Sequence, residues 1–140
     1  MKYLLLLIGL LFCGSFANGD DRVEKYPDVT VSRFQRAIDG DTFVCDIDEH
    51  SAIAGKNISI RLRGINTPEL KDKDPEIRKQ AYQEKDRLES LLVNAKVIQL
   101  KNLGRDKYFR IDADVYVDDK NILDRLNQKY LIQPSEDNRR

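Results

Sequence analysis

Phe43, Cys45 and Ile47 alternate with Asp46 and Asp48, and after a loop from His50 to Asn57 the pattern returns as Ile58, Ile60 and Leu62 against Ser59, Arg61 and Arg63. A two-residue period places apolar side chains on one face of an extended chain and polar ones on the other, so both stretches are half-buried strands. An earlier strand runs from Val29 through Val31, Phe34 and Ala37-Ile38 to a turn at Asp39-Gly40. Gly64 and Pro68 punctuate the exit from the third strand, and Lys71 to Asp74 is a charged loop. Asp74-Pro75 then supplies an N-cap residue and a proline at the first helical position. Behind it Ile77, Ala81, Leu88, Leu91-Leu92 and Ala95 recur at helical spacing to about residue 95. Val97 to Asn102 alternates as a fourth strand, and Tyr108 to Val117 reads as a fifth. Asp118 to Asn121 is a turn, and Ile122, Leu123, Leu126, Tyr130 and Leu131 predict a short amphipathic helix.

Three strands, a long helix, two strands and a short C-terminal helix define an α+β chain. That order fits a five-stranded barrel of the OB type. With 140 residues there is room for one domain, placed at residues 29–133. It is preceded by a polar segment at 18–28 and followed by a polar tail at 134–140.

Residues 1–17 are read as a signal peptide and not as part of the fold. Lys2 gives a basic start, Leu4 to Phe12 is almost unbroken apolar sequence, and Ser15-Phe16-Ala17 supplies small residues at a cleavage site. The apolar run is too short for a comfortable transmembrane helix. Cys13 invites a lipid anchor, but Phe12 is bulky where that motif wants a small residue. An exported protein, periplasmic or secreted, is therefore expected, with no stable membrane span.

Composition narrows the chemistry. Lysine plus arginine and aspartate plus glutamate each number 24, so this is not a chain that coats nucleic acid by a bulk positive charge, and any anion site must be local. The single histidine, His50, excludes any mechanism needing two and is read as a solvated loop residue. Two cysteines exclude a disulfide-stapled miniprotein, and cleavage after Ala17 leaves only Cys45, read as a small core residue.

Three clusters can carry chemistry, and each has an ordinary structural reading beside it. Asp39-Gly40-Asp41-Thr42 projects carboxylates from a strand edge, or is simply a tight turn that favours these residues. Arg61-Leu62-Arg63-Gly64-Ile65-Asn66-Thr67-Pro68-Glu69 puts two arginines on one strand face and then an amide oxygen, a carbonyl and a carboxylate in one loop. Oxygen ligands of that kind suit calcium or magnesium, while a solvated strand end would look the same. Asp106-Lys107-Tyr108-Phe109-Arg110 offers two cations for phosphate and a ring for stacking, or is a charged loop.

Taken in order, the three clusters resemble the staphylococcal (micrococcal) nuclease family. The likeness continues through Ala113-Asp114-Val115-Tyr116-Val117 and covers about Ile38 to Leu131. The resemblance implies an OB barrel with packed helices and a calcium-dependent phosphodiesterase acting on DNA and RNA. It assigns Asp41 and Asn66 as calcium ligands through their side chains and Thr67 through its carbonyl. Glu69 becomes the general base toward water, Arg61 and Arg110 the clamp on the phosphate, and Lys107 and Tyr108 the nucleotide contacts. A monomer is expected.

The chain departs from the family pattern in three places. Asn66 stands where the family usually has a second calcium-ligating aspartate, so one negative charge is missing at the metal. Phe109 stands where the family often has glycine. Beyond Leu131 the further helix of well-known members, with its substrate-contacting tyrosines, has no counterpart in Gln133 to Arg140. An exported, metal-dependent nuclease is the reading this pattern supports. A catalytically weak or inactive OB module that binds nucleic acid or a protein partner is the alternative, favoured by Asn66 and the neutral net charge.

Overall fold

The computed structural model describes residues 26–132. The expected signal peptide, most of the polar segment at 18–28, Gln133 and the tail at 134–140 lie outside the described residues. The chain forms strands β1 (Val29–Thr30), β2 (Arg33–Asp39) and β3 (Thr42–Asp46), a one-turn helix α1 (Ala52–Gly55), and strand β4 (Ile58–Leu62). Helix α2 (Pro75–Val93) follows, then β5 (Ile98–Arg105), β6 (Ile111–Val117) and β7 (Lys120–Asn121). Two 3-10 turns, Ile122–Arg125 and Gln128–Tyr130, complete the described chain.

The strands lie in the order β1-β5-β6-β4-β3-β2, with β7 on β6. All pairs are antiparallel except β4 with β6, where Arg61 sits opposite Asp112. The sheet curls: β1 pairs with β5, and the chain then passes through Val31, bonded to Ile98 O, and Ser32, bonded to Asp46 O, to let β2 pair with β3. This is the OB-type α+β arrangement expected from the element order.

The strand count is seven and not five. The first expected strand is split at Val31-Ser32, where it leaves one sheet neighbour for the other, and β7 adds a two-residue pairing behind the Asp118-Asp119 turn. Both turn residues have positive φ, 50° and 66°, the conformation that matches the twist of a tight hairpin.

Three further expectations change. The loop from His50 to Asn57 contains α1, although His50 itself is exposed. The fifth strand begins at Ile111 because Asp106 to Arg110 is occupied by a hairpin loop. The short C-terminal helix is instead the pair of 3-10 turns. Asn121 Oδ1 accepts from Leu123 N–H, Asn127 Oδ1 accepts from Lys129 N–H, and Leu126 between them is extended, so no continuous helical turn forms.

Helix α2 starts as its sequence dictates: the Asp74 carboxylate accepts from Glu76 N–H at 2.8 Å, ahead of Pro75. It buries Ala81, Glu84, Leu88 and Leu92, one stripe at helical spacing, and packs across β2. Phe43, Cys45, Ile60, Leu62, Leu100, Val115 and Val117 fill the space inside the curled sheet. Burial pushes the Cys45 thiol up to about 12, with the charge of Asp46 adding to it, so it is an unreactive core group. None of the described helices is long and apolar enough to cross a membrane.

Candidate active site

The turn from β2 to β3 is built around Gly40. A Cβ at this position would fall 2.7 Å from Glu84 Cβ and 2.8 Å from Thr67 Cγ2, so only glycine lets α2 and the loop after β4 close onto the turn. Asp41 follows and is buried, with its carboxylate fully engaged. Oδ2 accepts from Thr67 N–H at 2.9 Å and from the Thr67 hydroxyl at 3.1 Å. Oδ1 accepts from the Thr42 hydroxyl at 3.0 Å and lies 3.3 Å from Arg61 Nη1. Asp39 shares the turn. Its own burial and then the adjacent Asp41 charge raise its carboxyl to about 6.

Arg61 turns its guanidinium back into the loop that β4 runs into. Nη1 donates to Leu62 O and Nη2 to Ile65 O, both at 2.8 Å, and Nη2 also reaches Asn66 Oδ1 at 3.3 Å. The side chain is 17% exposed. Asn66 is held from the other side, where its N–H donates to Tyr130 O at 2.9 Å, and Ile132 N–H donates to Gly64 O at 2.8 Å. The C-terminal strap therefore pins the same loop that Arg61 organises. Glu69 comes next, exposed, and its carboxylate makes no hydrogen bond or ion pair among the described residues.

Arg63, on the same face of β4 as Arg61, does something different. Its Nε donates to Asp112 Oδ2 at 2.9 Å and its Nη1 to Asn102 O at 2.8 Å, with Asp114 at 3.6 Å. It ties β4 to β5 and β6 and has little left for a ligand.

The hairpin loop between β5 and β6 is organised by Asp106. Its carboxylate accepts from Tyr108 N–H at 2.8 Å, from Arg110 N–H at 3.0 Å and from Arg110 Nε at 2.7 Å. Burial works to raise this carboxyl, but these bonds, led by that of the Arg110 side chain, hold it below the usual carboxylate range. The Nη groups of Arg110 donate no hydrogen bond among the described residues, so its outer fork is open. Lys107 Nζ and Arg110 Cζ lie 5.0 Å and 5.4 Å from the Tyr108 ring centroid. In the β4–β6 register Arg61 sits opposite Asp112, and Arg110 immediately precedes β6.

The sequence of this region matches the family model described as staphylococcal nuclease homologue over residues 59–131, just over half of the chain. The chain belongs to the staphylococcal nuclease family. Members of this family are nucleases that typically depend on calcium. No curated protein matches the chain. The matched span contains Arg61, Asn66, Thr67, Glu69, Lys107, Tyr108 and Arg110. Asp41 precedes it, and the two hydrogen bonds to Thr67 are what attach it to the family's loop.

A hard cation of the kind this family uses needs oxygen ligands and compensating negative charge. Among the described residues no group of three His, Cys, Asp or Glu side chains is placed to hold a metal. The oxygens that the turn and the loop bring together are the carboxylates of Asp39 and Asp41, the amide oxygen of Asn66 and the carbonyl of Thr67. Two carboxylates in one turn, with an amide oxygen and a carbonyl in the neighbouring loop, are hard oxygen donors of the class calcium takes, with a low ligand charge. Asp39 was not singled out as a ligand from sequence. Its place across Gly40 from Asp41 is visible in the sequence.

The structure thus brings Asp41, Arg61, Asn66 and Thr67 into one hydrogen-bonded knot. Glu69 extends from the same loop. Lys107, Tyr108 and Arg110 belong to the separate hairpin loop and make no hydrogen bond or ion pair to the knot among the described residues.

Proposed function

We propose that the chain is an exported, calcium-dependent phosphodiesterase that hydrolyses DNA, RNA or both. The observation that carries this reading is the pairing of a fixed knot with unpaired chemical groups. Asp41 and Thr67 are joined at 2.9 Å, while the Glu69 carboxylate and the Arg110 outer fork have no hydrogen-bond or ion-pair partner among the described residues.

In this reading Glu69 takes the proton of the attacking water as its oxygen bonds to phosphorus and the ester P–O bond breaks, the departing oxygen taking a proton from solvent. Arg110 binds the phosphate through its two Nη groups, while Asp106 fixes its Nε and so its direction. Arg61 approaches the same phosphate from β4. Asp39, Asp41, the Asn66 amide oxygen and the Thr67 carbonyl would hold a calcium ion, which when bound supplies positive charge to offset the charge developing on the phosphate oxygens. Lys107 and Tyr108 contact the nucleotide. The apolar run at Leu4 to Phe12 and the small residues at Ser15 and Ala17 support export and cleavage at residue 17. The protein then acts as a monomer in the periplasm or outside the cell.

A second reading, a nucleic-acid-binding module with little or no activity, is favoured by one observation: Asn66 leaves the cation ligands without the family's second aspartate at that position. A plasmid digest with and without calcium separates the two. The proposal expects calcium-dependent cleavage that falls about 10²- to 10⁴-fold in Glu69→Gln, the range of a general base. Equal cleavage by both proteins removes Glu69 from the chemistry, and no cleavage at any calcium concentration favours the binding module.

A further inference from the structure

The hairpin loop between β5 and β6 ends in a ring that the rest of the fold does not use. Phe109 is 82% exposed, and it has φ of 63°, the left-handed region where a bulky side chain is strained and glycine is not. The conformation is fixed from both sides. Phe109 N–H donates to Asp106 O at 3.1 Å, and Phe109 O accepts from Arg105 Nη1 at 2.9 Å. The neighbouring Asp106 carboxylate holds Tyr108 N–H and Arg110 N–H. A strained residue that its surroundings over-determine is a candidate for function.

Tyr108 and Phe109 differ in what covers them. Two cations already lie over the Tyr108 ring, whereas Phe109 makes no ring or cation contact among the described residues. Arg105, Lys107 and Arg110 flank it in sequence within one short loop. An exposed apolar ring on a loop that also carries cations matches a ligand that offers a flat π face and a phosphate together, which is a nucleotide whose base is not paired. In a duplex both faces of each base are covered by stacking, so the ring has nothing to meet.

We propose that Phe109 stacks on an unpaired base of the strand whose phosphate Arg110 binds, and that it thereby selects single-stranded nucleic acid over duplex. This rests on the nuclease reading for the placement of the phosphate; the stacking itself needs no cleavage.

The test is fluorescence anisotropy with a labelled single-stranded DNA, the same sequence as RNA, and its duplex. It is run in calcium with a Glu69→Gln background so that the strand survives. Phe109→Gly suits the local φ and removes the ring; Phe109→Leu keeps apolar bulk without the ring; Phe109→Trp keeps a ring. Glycine and leucine are expected to weaken single-strand binding about 10-fold, the scale of one base–aromatic stack, and to change duplex binding less than about 2-fold, while tryptophan retains selectivity. Both single strands should respond, and a loss confined to one identifies the preferred sugar. Unchanged single-strand binding in Phe109→Gly, or equal losses on single strand and duplex, overturns the proposal, as does absence of nucleic-acid binding by the parent. If the parent never cleaves but the glycine variant loses single-strand binding, the nuclease reading falls and the stacking stands. If the parent cleaves and the glycine variant binds unchanged, the reverse holds.

Discussion

Replacing Arg61 with lysine tests whether this arginine holds the loop together as well as serving the chemistry. Its two Nη groups donate separately to Leu62 O and Ile65 O, each at 2.8 Å, and a lysine has one ammonium to offer in place of two forked nitrogens. The ammonium carries its three donors on one nitrogen and so cannot reproduce two bonds made from separate nitrogens, which leaves one carbonyl poorly satisfied in a position only 17% exposed in the parent. An unsatisfied part-buried carbonyl costs about 1–3 kcal/mol. Loosening the 3.3 Å approach to Asp41 adds to this, for a total of about 2–3 kcal/mol. Arg110→Lys is the control. It gives up one charge-assisted bond to Asp106 at a 30% exposed side chain, a loss of about 1 kcal/mol or less. Urea denaturation in EDTA, followed by circular dichroism, measures both. Arg61→Lys should unfold at a clearly lower urea concentration than Arg110→Lys with the same m-value. If the two variants agree within about 0.5 kcal/mol, Arg61 does not organise the loop and the hydrogen bonds assigned to it carry no weight.

Two other outcomes follow from the same geometry. Asn66→Asp adds a carboxylate beside Asp41 and should lower the calcium concentration for half-maximal cleavage by about 10-fold, because calcium affinity follows ligand charge; identical midpoints would show that residue 66 is not a ligand. Asp46 is held below the usual carboxylate range by the Asn57 N–H, against its own burial, with Gln35 and Arg33 assisting. Its stabilising contribution is therefore present above the unfolded carboxyl's value near 4 and is lost as pH falls through the lower folded value. Asp46→Asn should thus be less stable than the parent at pH 7, with the gap closing in acid, and a gap independent of pH refutes the assignment.

Much of the barrel was legible because period-two alternation survives where one face is buried, as in Ile58, Ile60 and Leu62. The start of α2 was legible because Asp74 and Pro75 act locally. What escaped was long-range. Nothing near Val31 announces that the strand changes neighbours there, since the cause is Ile98 on one side and Asp46 on the other. Ile122, Leu123, Leu126 and Tyr130 have helical spacing, yet Asn127 Nδ2 is committed to Glu84 Oε1 at 3.0 Å and breaks the run into two turns. A sequence shows that Asn127 could cap a helix but not that α2 will claim it.

The candidate site shows the same division. The identities of Asp41, Asn66, Thr67 and Glu69 were readable from their order along the chain. The direction of Arg61 was not, because strand periodicity gives the face a side chain leaves from and not where a long one ends. Its Nη1 lies 3.3 Å from Asp41 Oδ1 and its Nη2 lies 3.3 Å from Asn66 Oδ1, and these are two of the oxygens assigned to calcium. In the proposed reaction the guanidinium and the cation therefore draw on the same acceptors. Nη hydrogens become available to a phosphate to the extent that Asp41 and Asn66 turn their oxygens elsewhere, while the bonds to Leu62 O and Ile65 O keep the arginine in place. Under the proposed function such an arrangement would link metal binding to phosphate binding through two named oxygens, and Asn66 would hold Arg61 less firmly than an aspartate, because a neutral amide is the weaker acceptor.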